Sequence, residues 1–115
     1  KFPKIINDIC EAFGAKAEIN YKEGYPPTIN DENAAKFALE TAKEIAGEKA
    51  SDNQMPMMGS EDFSYFLEKK PGAYAWIGNG NSASLHNPSY DFNDDLLPVG
   101  ASFLSRIAEK ALNNN

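Results

Sequence analysis

The stretch GSEDFSYFLEKKPGAYAWIG, residues 59–78, changes its period halfway along, and that change decides the fold class. The first half reads as a short helix. Ser60 is placed to cap it, Phe63, Phe66 and Leu67 share one face, and Lys69 and Lys70 suit its negative end. Pro71-Gly72 stops it. The second half, residues 73–78, is a short apolar run between turn residues, the pattern of a buried strand. A helix leading straight into such a strand predicts an α/β arrangement.

Upstream, residues 1–15 place Ile5, Ile6, Ile9, Ala12 and Phe13 on one helical stripe, with Gly14 as the stop. Residues 15–23 then alternate Ala17, Ile19 and Tyr21 against Lys16, Glu18, Asn20 and Lys22, which predicts a strand with one face buried. Two prolines in GYPPTIN make Gly24–Pro27 a stiff linker and the best candidate boundary. Asn30 is expected to cap the next helix, whose stripe is Ala35, Ala38, Leu39, Ala42, Ile45 and Ala46, ended by Gly47. Residues 51–58 read as loop. Downstream, residues 79–96 form a long polar loop, a length that is usually functional. Pro98 then starts a helix carrying Val99, Phe103, Ile107 and Ala111. Only two strands emerge, whereas sheets average about five or six. The pattern therefore implies part of a larger sheet.

Composition removes several classes of function. A formal charge of −6, with Lys and Arg scattered, disfavours nucleic-acid binding. No run approaches the ~18 apolar residues of a membrane span. The single Cys10 has no internal partner and favours a reducing compartment, so a cytoplasmic location is the expectation. The chain starts at Lys1 and not at Met, so localisation cannot be read from its start.

Few residues can carry chemistry. His86 is the one histidine. From spacing alone a partly exposed loop histidine, bonded to Asp91 or to backbone, is favoured over a metal ligand, because no second ligand stands at a recognisable interval. Glu61 and Asp62 are adjacent, about 100° apart on a helix, and cannot easily serve one reacting centre; a capping role is favoured. Ser60 has no neighbouring histidine to activate it. The N–H groups around Gly59 and Ser60 can hold an anion. GNGN (78–81) is too short and wrongly placed for a phosphate loop, and Met55, Met57 and Met58 read as packing.

Four motifs in sequence change the weight of these readings: YPPTIND (25–31), PMMGSEDFSYFLEKKPGAYAWIGNG (56–80), LHNPSYDFND (85–94) and LLPVGASFLSRIAEKAL (96–112). Together they resemble the C-terminal portion of the metal-dependent amidohydrolases that include hippurate hydrolases and auxin-conjugate hydrolases. The resemblance implies the C-terminal part of a zinc-peptidase-like three-layer α/β catalytic domain, residues 25–115. Residues 1–24 would be the last helix and strand of a ferredoxin-like lid that mediates homodimerisation, and Gly24–Pro27 the return hinge. It implies that His86 is one ligand of a divalent metal (Zn, Mn, Co or Ni) and that Gly59, Ser60 and Glu61 border the substrate pocket. Asn87 stands where some members have a second histidine. The other ligands, the glutamate base and an oxyanion-stabilising histidine would lie upstream, so this chain alone is expected to be inactive.

The implied activity is hydrolysis of N-acyl amino acids or similar small amides by metal-activated water. The upstream part of the same protein would then be an obligatory partner. Two other classes are a non-catalytic binding or assembly subunit that keeps the same fold, and a free-standing interaction domain whose helices complete a partner's sheet.

Overall fold

The computed structural model describes residues 1–113. It contains four α-helices: α1 (Phe2–Ala12), α2 (Glu32–Ala46), α3 (Ser64–Leu67) and α4 (Leu97–Asn113). Single 3-10 turns at Gly47–Lys49 and Asp94–Leu96 extend α2 and lead into α4.

The helices form where apolar periodicity places them, and their ends follow local chemistry. Gly14 takes φ +70° just beyond α1, and Gly47 takes φ +58° as the C-cap of α2, a region that glycine enters without a Cβ penalty. The expected cap of α2 at Asn30 is corrected by one residue. Asp31 is the cap, its Oδ1 accepting from the Ala34 N–H at 2.9 Å. Asn30 is engaged elsewhere, with the main chain of Tyr74. Ser60 does not cap α3 either. The preceding turn is organised by Glu61, which accepts from the Phe63 N–H through its side chain and from the Ser64 hydroxyl through its main chain.

The α/β expectation needs a larger correction. No strand exists among the described residues, neither at 15–23 nor at 73–78. A strand exists only through a ladder partner, and neither segment finds one. The side-chain alternation survives at 73–78 even so. Tyr74 and Trp76 share a face, their rings perpendicular at 5.5 Å, while Ala75 and Ile77 line a groove with α2 and α4.

That groove, about 580 Å³, is where the chain comes nearest to a core. Ala42, Ile45 and Ala46 of α2 face Leu96, Val99 and Phe103 across it. The helices α2 and α4 pack on each other, whereas α1 and α3 meet no other helix among the described residues. Glu44 ties the pair, its Oε1 bound by Lys110 Nζ at 2.6 Å and its Oε2 by Arg106 Nε at 2.8 Å. The Lys110 ammonium also lies 5.4 Å from the centre of the Phe37 ring.

Among the described residues no hydrophobic side chain is fully buried; the buried residues are Thr41 and Ser64. The expected inward face of α3 is half open, with Phe66 67% exposed, and the stripe of α1 lies open at Ile5, Ile9 and Phe13. The radius of gyration is 20.3 Å, against about 13 Å for a compact domain of this length. The apolar faces are thus shaped for burial that this chain does not itself supply. No described helix is long and apolar enough to cross a membrane.

Candidate metal and substrate site

The polar loop after Gly78 is closed by one side chain. Asn79 Nδ2 donates to Ser82 Oγ at 2.8 Å and to the Asp91 carbonyl at 2.7 Å, and its Oδ1 accepts from the Asn93 N–H at 2.8 Å. The bonds to Asp91 and Asn93 bring the ends of the loop together. Within it a Ser84–Asn87 turn is closed by the Asn87 N–H on the Ser84 carbonyl at 3.0 Å. Asn87 then starts the next turn, its Oδ1 accepting from the Ser89 N–H at 2.9 Å. His86 is the third residue of the first turn, with φ +67°. It is the one non-glycine residue at positive φ among those described.

A position with φ > 0 in a turn ordinarily selects glycine or asparagine. Histidine there accepts a backbone cost of about 1–2 kcal/mol. The imidazole is exposed and makes no hydrogen bond to a described residue. Neither of the bonds that spacing alone favours, to Asp91 or to backbone, is formed by the ring.

The other candidates gather elsewhere. Gly59, Ser60 and Glu61 line a cleft of about 210 Å³ with Asn30, Met55 and Trp76. His86 is not among its lining residues. The Glu61 carboxylate accepts from the Tyr74 hydroxyl through Oε2 at 2.8 Å and from the Phe63 N–H through Oε1 at 3.1 Å. These bonds, the Phe63 N–H foremost and the Tyr74 hydroxyl next, hold its pKa below the ordinary carboxylate value against the opposing effect of partial burial. The Tyr74 hydroxyl is pushed up in turn, chiefly by its bond to Glu61.

Asn30, expected as a cap, organises Tyr74 instead, and two organising residues, Tyr74 and Asn79, escaped the sequence reading although each carried a usable signal. A tyrosine inside an apolar run needs a partner for its hydroxyl. An asparagine between two glycines, with no helix following, is a turn-builder through its side chain.

A single exposed imidazole has the right donor chemistry for a divalent transition metal. The described residues add no companion, since none of their His, Cys, Asp and Glu side chains cluster in threes. Catalytic zinc sites use about three protein ligands. The residues present therefore fit a metal in kind and not in number.

The family model for peptidase family M20/M25/M40 matches residues 4–110. Similar proteins include hippurate hydrolase of Campylobacter jejuni, 44% identical over 113 residues, covering 97% of this chain and 30% of that protein. IAA-amino acid hydrolase ILR1-like 2 of Arabidopsis thaliana is 37% identical over 97 residues, 81% of this chain and 22% of its own length. Thermostable carboxypeptidase 1 of Saccharolobus solfataricus is 29% identical over 116 residues, 96% of this chain and 29% of its own length. The chain thus spans less than a third of each of these relatives. With the match running almost from end to end, the chain belongs to peptidase family M20/M25/M40, whose fold is zinc-peptidase-like.

Proposed function

We propose that this chain is the C-terminal part of a metal-dependent amidohydrolase that cleaves N-acyl amino acids or similar small amides, and that His86 supplies one ligand to its divalent metal. The observation that carries the reading is the presentation of His86. A strained, exposed imidazole without a hydrogen bond, on a loop tied shut by Asn79, is a donor held ready for a group outside the described residues. The names hippurate hydrolase and IAA-amino acid hydrolase both describe hydrolysis of an amino-acid conjugate, which supports the substrate class.

A bound divalent metal supplies Lewis acidity towards an amide carbonyl and a water. Residues of this chain do two things in the proposed site. His86 offers a neutral ring nitrogen, and the turn Gly59–Glu61 forms one wall of the cleft that receives the substrate. The remaining ligands, the general base and the rest of the lid that pairs two copies, of which residues 1–24 are the end, belong in the same proposal to the upstream part of the protein. The open apolar faces of α1 and of the α2–α4 groove support such a cover. Zn, Mn, Co and Ni all suit the donor, and the lone Cys10 supports a cytoplasmic setting.

The test compares the full-length protein with the purified 115-residue chain on N-benzoylglycine and other N-acyl amino acids, each with added Zn or Mn. Hydrolysis by the full-length protein alone is expected. Turnover by the 115-residue chain, or none by the metal-loaded full-length protein, contradicts the proposal.

A further inference from the structure

We propose that Tyr74 is a positioning residue for the substrate-facing turn Gly59–Glu61, acting through the Glu61 carboxylate. This rests on the reading above in one respect, that the cleft beside Glu61 holds substrate.

The inference starts from how little else holds that wall. From Gln54 to Ser60 no residue makes a hydrogen bond to another described residue, so the turn hangs between a surface pair, Ser51 with Asn53, and Glu61. Glu61 is held at three points. Its Oε2 accepts from the Tyr74 hydroxyl at 2.8 Å, its Oε1 from the Phe63 N–H at 3.1 Å and its main-chain oxygen from Ser64 Oγ at 2.7 Å. Two of these come from the next three residues and move with the turn. Only the Tyr74 bond reaches across the cleft to a distant segment.

Tyr74 is itself fixed. The Asn30 carboxamide acts as a neighbouring peptide group: its Nδ2 donates to the Tyr74 carbonyl at 3.0 Å and its Oδ1 accepts from the Tyr74 N–H at 2.8 Å. Beside it, the Asp31 N–H donates to the Gly72 carbonyl at 3.0 Å. The ring lies against Phe63 at 5.7 Å and Trp76 at 5.5 Å. The hydroxyl is therefore a fixed point from which Glu61, and with it Gly59 and Ser60, takes its place. The lowered pKa of Glu61 keeps the carboxylate ionised and the bond charge-assisted at neutral pH. Asp62 is the other acid that acts on Tyr74.

Tyr74→Phe in the full-length protein removes the hydroxyl and keeps the ring. The expected result is a rise in KM for an N-acyl amino acid of about 3- to 10-fold with kcat within about twofold, the mark of a lost binding wall and not of a lost reacting group. Carboxyl NMR should show the Glu61 titration moving up towards the ordinary carboxylate value. Combining Tyr74→Phe with Glu61→Gln should cost less than the two single changes added together. An unchanged KM with a relaxed Glu61 titration overturns the proposal, because the bond would then be structural only. A fall in kcat at constant KM overturns it as well. Absence of hydrolysis by the wild-type protein removes the functional reading and this proposal with it, whereas an active pair with equal KM removes the positioning role alone.

Discussion

His86 holds a backbone conformation that glycine would hold at lower energy. At φ +67° in the Ser84–Asn87 turn, its Cβ costs about 1–2 kcal/mol that a glycine does not incur. Glycine returns about 0.5–1 kcal/mol of that through its freer unfolded chain. The full-length protein carrying His86→Gly should therefore melt no lower than the one carrying His86→Ala, in calorimetry at neutral pH without added metal. A clearly lower melting temperature for the glycine variant would mean that the turn is not strained. At this scale the sequence was partly readable. A lone histidine in a polar loop attracts attention by being alone. The left-handed turn at His86 could not be read, since it depends on which of several turns the loop adopts. The pairing of Tyr74 with Asn30 could not be read, because it joins residues 44 apart in sequence.

Elements were readable to the extent that local chemistry decides them. Periodicity located α1, α2 and α4, with glycine stops after the first two and Pro98 opening the last, because a helix satisfies its own backbone. Caps were harder: Asn30 and Asp31 are both good cap residues, and a tertiary bond to Tyr74 decides between them. The two expected strands show the opposite limit. Alternation around Tyr74 and Ala75 is local and present, but a ladder is made with another segment, and none of the described residues provides it. The α2–α4 pair owes more to its apolar groove than to Glu44. That group's pKa is lowered, first by Lys110 and then by Arg106, but exposed ion pairs contribute little to stability. The loop between Asn79 and Asn93 offers a sharper test. Asn79→Ala removes the two hydrogen bonds that close it, so amide exchange across residues 80–92 should quicken by about tenfold or more in hydrogen–deuterium exchange of the full-length protein. Unchanged protection there would show that the loop is closed by something else.

The whole molecule is a set of well-formed helices around surfaces left open. Its radius of gyration and the exposure of Ile5, Phe13, Phe66 and Trp76 describe an open chain with uncovered apolar faces. Its candidate residues are as scattered, with His86 apart from the cleft that Gly59–Glu61 line and no cluster of three metal-binding side chains among the described residues. The central claim is that His86 is one ligand of a divalent metal shared with the upstream part of the protein. Metal content by plasma emission spectroscopy, measured on the purified full-length protein and on its His86→Gly variant after identical loading and desalting, tests it most directly. The claim predicts that the variant retains less metal and loses hydrolytic activity in proportion; equal metal content and equal activity in the two proteins would contradict it.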